Sequence, residues 1–194
     1  MSRSGELWPE ASASAEVVIT AYTDGGSRGN PGPAGFGVHI EDAQGKTLAQ
    51  LSEYVGRKTN NFAEYSGLLG ALNFALEQGY GRLKVVSDSE LMVKQIKGQY
   101  RVQSPELRPL YEEAKRRIAR LERFEIHHVL REKNRHADRL ANEAMDRGTG
   151  RTPPASGSAP SAREFKGFVK GGVVHFLEGE LPDGVFVRIT PERK

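Results

Sequence analysis

A chain of 194 residues, 37% hydrophobic and 27% charged, accommodates one full domain with a small appendage and cannot hold two large ones. It has no cysteine, which excludes disulfides, zinc–thiolate sites, iron–sulfur clusters and cysteine nucleophiles together; any metal must sit on oxygen or imidazole. The formal net charge is only +3, but residues 1–93 carry 7 basic and 11 acidic side chains whereas 94–139 carry 13 basic and 7 acidic, so positive charge is gathered in one stretch.

No run approaches the roughly 18 apolar residues of a membrane span, and the opening MSRSGELWPE lacks a signal peptide's apolar stretch. A cytoplasmic protein with no membrane contact is expected. Residues 1–14 are Ser/Ala-rich without periodicity, and the stretch 149–162 is rich in Pro, Gly, Ser and Ala; disorder is expected in the first and a linker in the second. Between them lies the body, 15–148, the expected folded domain.

The body opens with VVITAYTD, whose apolar alternation predicts a strand, followed by a Gly/Pro-rich turn. FGVHIED and TLAQLSEY, split by the turn residues Ala43 to Lys46, predict an antiparallel pair that completes a three-strand meander. From Phe62 to Tyr80, Leu68, Leu69, Leu72, Ala75 and Leu76 recur at helical spacing. LKVVSD then reads as a buried strand, ELMVKQIKG as a second helix, and PELRPLYEEAKRRIARL as a third opened by Pro105. FEIHHVL reads as a last strand and RHADRLANEAMDRG as a final helix. The order β-β-β-α-β-α-α-β-α predicts an α/β mixed sheet with helices on its faces.

Four acids stand at the ends of these elements: Asp24, Glu64, Asp88 and Asp138. Singly, each has a plain structural use. Glu64 can serve a capping box started by Asn61, Asp88 can support a Ser87–Glu90 capping box, and Asp138 can complement a helix dipole. Asp24 is harder to explain, because an aspartate continuing the apolar pattern of an interior strand is costly without a compensating cation or donor. Jointly, with no cysteine and no histidine pair at metal spacing, the four make a hard-oxygen set suited to Mg²⁺ or Mn²⁺. The segment DGGSRGNPGPAGFG lacks the endings of a P-loop or a dinucleotide fingerprint, and its glycines, Gly25 among them, instead let the backbone approach a ligand closely.

YTDGGSRGNPGPAGFG, TNNFAEYSGLLGAL, VVSDSELMVKQI and HADRLANEA, taken in order over most of 17–148, resemble the four carboxylate motifs of type 1 ribonuclease H. The resemblance implies a ribonuclease H-like fold, a five-stranded mixed sheet in the order 3-2-1-4-5 flanked by helices. It implies endonucleolytic cleavage of the RNA strand of RNA/DNA hybrids with two Mg²⁺ ions, Mn²⁺ as substitute, and Asp24, Glu64, Asp88 and Asp138 as metal ligands. Products would carry 5′-phosphate and 3′-hydroxyl ends. By the same resemblance Asn30, Asn60 and Asn61 contact the hybrid's minor groove, and Arg57 and Thr59 grip a phosphate of the DNA strand.

Many members of that family carry an auxiliary histidine on the loop before the last helix. Here the loop is short, VLREKNRHAD, with Glu132 at the matching place and His136 as a second candidate; His127 and His128 lie within a strand and read as structural. Glu90 stands where a glutamine is frequent. The basic protrusion that relatives use to hold the hybrid is missing, and Lys97, Arg101, Lys115, Arg116, Arg117 and Arg120 are the candidates to replace it. A non-catalytic nucleic-acid binder on the same fold, or another nuclease of the ribonuclease H-like superfamily, are the competing readings. The tail, 163–194, shows three alternating runs split by Gly-containing turns, which predict a small β module that docks on the body or pairs with a second copy.

Overall fold

The computed structural model describes residues 17–150 and, beyond them, the backbones of two short strands at 167–170 and 173–176. In chain order the elements are β1 (Val18–Ser27), β2 (Gly32–Glu41), β3 (Thr47–Lys58), α1 (Asn60–Glu77), β4 (Arg82–Ser87), α2 (Glu90–Ile96), α3 (Arg108–Ile118) and β5 (Arg123–His128). A 3₁₀ turn (Arg131–Lys133) leads into α4 (Arg135–Gly148). The sheet order is β3-β2-β1-β4-β5. β1 pairs antiparallel with β2 and parallel with β4, β2 antiparallel with β3, and β4 parallel with β5. This is the fold and strand order expected from the sequence.

The two faces of the sheet are built from different materials. Ile19 and Ala21, Val38 and Ile40, Leu83 and Val85, and Ile126 point to one face, where α1 lays Tyr65, Leu68, Ala71, Leu72 and Ala75 over them. Met92, Val93 and Ile96 of α2 and Ala114 of α3 close the same core. Burying a Leu or Ile side chain of this kind contributes roughly 1.5–3 kcal/mol.

On the opposite face α4 packs almost against the backbone. Its buried positions Ala137, Leu140, Ala141, Ala144 and Met145 recur at i, i+3, i+4, i+7 and i+8, one stripe of a helix. A methyl group added to Gly37 would meet the Ala137 carbonyl oxygen at 2.3 Å, and one added to Gly35 would meet the Ala144 Cβ at 2.8 Å. Glycine on the strand and alanine on the helix therefore set the separation. Ser52 of β3 fixes the register by donating to the Leu140 carbonyl at 2.6 Å.

Three boundaries differ from the sequence reading. β1 runs on through Gly25 and Gly26 to Ser27, and β2 starts at Gly32, so the expected long turn shrinks to Arg28–Pro31, with a cis bond between Asn30 and Pro31. The glycines stay extended because Gly25 lies against α1, where a Cβ would sit 2.2 Å from the Glu64 amide nitrogen. α3 begins at Arg108 rather than Pro105: Ser104 Oγ accepts from the Leu107 amide at 3.4 Å, and Pro109 occupies the first turn, where its missing N–H is not needed. α3 also ends at Ile118, because the Glu122 and Arg123 amides turn to the Gly81 carbonyl at 2.8 and 3.1 Å and start β5.

Contacts divide the chain into a unit of residues 1–153 and a second of residues 154–194. In the second, β6 (Gly167–Lys170) pairs antiparallel with β7 (Val173–Phe176), Val169 opposite Val174. The third alternating run, the expected disorder of 1–14 and nearly all of the expected linker at 149–162 lie outside the described residues. Among the described residues no helix is long and apolar enough to cross a membrane.

Candidate active site

Three of the four acids meet where the sheet's parallel strands end. Asp24 projects from β1 and is 5% exposed, Glu64 from α1 is also 5% exposed, and Asp88 follows β4 directly. Carboxylate oxygens of the three lie within 4.8 Å of one another. α1 begins one turn earlier than Glu64, with Thr59 as its cap accepting from the Phe62 amide at 3.3 Å. Glu64 is therefore too deep in the helix to be a capping-box acid, and Asn61 is not the cap. Nor does a Ser87–Glu90 box form: the cap of α2 is Ser89, whose own amide donates to Ser87 Oγ at 3.2 Å.

Electrostatics makes this cluster costly when nothing positive lies inside it. Burial above all, then the Asp88 and Asp138 charges, pushes the Asp24 carboxyl up to about 7. Burial followed by the charges of Asp24 and Asp88 pushes Glu64 well above the carboxylate range, against a backbone hydrogen bond from Gly25. Glu64 Oε2 is buried with no hydrogen-bond partner, a state that costs about 1–3 kcal/mol or more for a group of this kind. An all-oxygen donor set with an orphaned, buried carboxylate oxygen suits a hard divalent cation.

Asp88 and Asp138 are held differently. Asn134, 1% exposed, donates to the Thr23 carbonyl at 2.8 Å and to Asp88 Oδ1 at 3.2 Å, tying β1, β4 and the start of α4 together. Asp138 is gripped by the Arg131 guanidinium, whose Nε lies at 3.0 Å, and by Asn142 Nδ2 at 3.3 Å. Arg131 and Asn142 line the same cleft as Asp24, Glu64 and Asp88, a cavity of about 460 Å³. The fourth acid thus stands at the cleft's edge, tethered to a cation of the protein. Sequence reasoning missed Arg131 and Asn134. The only signals for them were a basic residue in an otherwise mixed-charge loop and an Asn at a helix start.

The remaining expected residues fall into two groups. Asn30 reaches α1, its Oδ1 accepting from the Asn60 amide at 3.1 Å, and Asn60 and Gly25 line the cleft. Thr59 caps α1, Asn61 is half-buried in its first turn, and Arg57 is exposed near the end of β3. Neither auxiliary candidate lines the cleft. Glu132 is exposed in the 3₁₀ turn, and His136 packs edge-on against His39, ring centroids 4.9 Å apart. His127 and His128 are exposed on β5, His127 Nε2 lying 3.2 Å from Glu125 Oε2. Glu90 is at the rim, paired with Lys94 at 2.6 Å. Of the six basic candidates, Arg116 and Arg117 are engaged by Glu113, and Arg117 also donates to the Leu69 carbonyl at 3.2 Å. Lys97 and Lys115 border a separate hollow with Ile96, Ile118 and Phe124.

A 3-2-1-4-5 mixed sheet with acids converging beside its central strand defines a protein of the ribonuclease H-like class. Residues 22–144 match the family described as reverse transcriptase-like, to which the chain belongs, and its relatives place it in the type 1 ribonuclease H family. It is 46% identical over 132 residues to the bifunctional protein Rv2228c of Mycobacterium tuberculosis, a match covering 68% of this chain. The match spans only 36% of that relative's length. Among solved structures it is similar to RNase H1 of Halobacterium salinarum, at 39% identity and a TM-score of 0.65, covering 67% of this chain and 98% of the other. It is equally similar, at 43% identity and a TM-score of 0.65 over 68% and 99% of the two chains, to LC11-RNase H1 solved in complex with an RNA/DNA hybrid.

Proposed function

We propose that the protein is an endonuclease that hydrolyses the RNA strand of RNA/DNA hybrids, leaving 5′-phosphate and 3′-hydroxyl ends. The observation that carries this reading is the cluster of Asp24, Glu64 and Asp88 with its unpartnered Glu64 oxygen, on the fold of a relative solved with a hybrid. Asp24, Glu64, Asp88 and Asp138 would hold two divalent ions, Mg²⁺ or Mn²⁺, which when bound supply charge stabilisation and an activated water at a phosphodiester.

The protein's own residues do the rest. Asn134 orients Asp88 and fixes it to β1, so that two acids from different strands keep their separation. Arg131 neutralises Asp138 while the cleft is empty of substrate, and its guanidinium can turn to a phosphate when the acid finds another partner. Asn60 beside the cleft, its backbone N–H held by Asn30 Oδ1, offers its side-chain amide to the minor groove, where only the 2′-hydroxyl separates RNA from DNA. The arginine and lysine residues of 94–139 supply salt-dependent attraction to the backbone. Labelled RNA/DNA hybrid, duplex DNA and duplex RNA should be offered side by side in Mg²⁺. Cleavage confined to the RNA of the hybrid is expected, and hybrid binding with no cleavage would establish the non-catalytic binder instead.

A further inference from the structure

A second group of side chains with metal-ligating chemistry lies on the α4 face, further along β2 from the carboxylates. His39, Glu41 and His136 each present a donor atom within 4.8 Å of the other two. His39 and Glu41 are two apart on β2, so both point to the face that α4 covers. The register places His39 opposite Tyr22, whereas Asp24 is opposite Gly37; the two clusters are therefore separate sites.

The imidazole of His39 is built into this place. Its side chain is 3% exposed, Nε2 lies 2.8 Å from Glu41 Oε1, and Nδ1 lies 3.3 Å from the side-chain amide of Gln50. Metal-bound histidines are typically steadied in this way through the second ring nitrogen. His136 comes from the first turn of α4 and meets His39 edge-on, the rings at 88°. It is exposed, which leaves room for a solvent molecule as a fourth ligand.

We propose that His39, Glu41 and His136 form a second metal site, one that takes Zn²⁺-type ions and clamps the first turn of α4 onto β2. Two imidazoles and a carboxylate select Zn²⁺ over Mg²⁺, which demands oxygen. Metal–ligand bonds of about 2.0–2.1 Å set the donors roughly 3.3 Å apart, so His39 Nε2 and Glu41 Oε1 would part slightly from 2.8 Å to admit the ion, and His136, which is exposed, has room to close on it. Without the ion, Nε2–H of His39 donates to Glu41. With it, Nε2 gives its lone pair to the ion, the single ring proton moves from Nε2 to Nδ1, and the Gln50 amide turns its oxygen to accept it. The clamp acts two residues before Asp138, on the helix that carries it.

The test uses the full chain, purified without a histidine tag, stripped with a chelator and titrated with Zn²⁺, and separately with Co²⁺, in saturating Mg²⁺. Wild type should take up one equivalent that Glu41→Gln and His136→Ala each bind at least about tenfold more weakly. Co²⁺ should show the intense visible bands of a four-coordinate ion in wild type and lose them in both variants. Zn²⁺ should raise the melting temperature of wild type only. Uptake, spectrum and melting shift unchanged in both variants would overturn the site. Glu41→Gln should cleave a hybrid in Mg²⁺ as wild type does, so this proposal and hybrid hydrolysis stand or fall separately.

Discussion

Asp24 and Glu64 are buried acids with raised pKa values and an oxygen that nothing in the protein satisfies. Asp88, in the same cluster, and Asp138, at the cleft's edge, are half-exposed and already have protein partners in Asn134 and Arg131. The difference teaches how one site can be both fixed and adjustable. The buried pair is costly when charged, a cost that a bound cation would relieve, while the tethered pair is already compensated inside the protein, and Asp138 would release Arg131 on taking an ion.

The sharpest way to break this comparison is Glu64→Gln. Several kcal/mol of charge stabilisation should vanish, lowering hybrid cleavage by about a thousandfold or more. The same change should raise the metal-free melting temperature above pH 7, because it removes a carboxyl that burial disfavours when charged. Next in size, Asn134→Ala should cost about 10–100-fold in Mg²⁺-dependent activity, mainly through weaker metal affinity, which a Mg²⁺ titration of the rate would reveal.

The pH behaviour separates the two halves further. Because Asp24 has a folded-state pKa raised to about 7 from 3.8, its contribution to the metal-free protein is fully present below about 3.8 and is lost as pH rises through about 7. Melting curves without metal should therefore decline over that window, and saturating Mg²⁺ should flatten the decline. At limiting Mg²⁺, activity should rise with pH over the same range, since proton and ion compete for one carboxylate.

Arg131→Ala should be mild in stability, under about 1 kcal/mol, because its side chain is 72% exposed. Glu132→Gln should slow turnover a few-fold at most and leave metal affinity unchanged, in keeping with a side chain outside the cleft. Removing residues 151–194 should have the smallest effect on hybrid cleavage, since every described cleft residue precedes them. If the tail pairs two copies, light scattering should show a lower mass for the shortened chain.

Much of the fold was legible because alternation and helical spacing mark β1, β3, β4 and α1 locally, and because the four acid motifs recur in a fixed order of elements. The ends of β1 and α3 were not, since glycines that read as a turn stay extended when helices close over them, and a proline starts a helix only where its neighbours allow. Asn134 and Arg131 were illegible for another reason: their partners, Thr23, Asp88 and Asp138, are set by tertiary packing. His136 shows how adjacency misleads. It is two residues from Asp138, but on a helix that separation turns a side chain by about 200°, so one faces the acids and the other His39.

Asp24→Asn tests the central claim most directly, because the amide keeps the size of the side chain and removes the charge at the centre of the cluster. Purified wild type and variant, matched in circular dichroism, should be compared on an end-labelled RNA/DNA hybrid across a Mg²⁺ titration. The account predicts that wild type cuts the RNA strand and that the variant falls to the no-enzyme background at every concentration of Mg²⁺. Hydrolysis by the variant at the wild-type rate would contradict it.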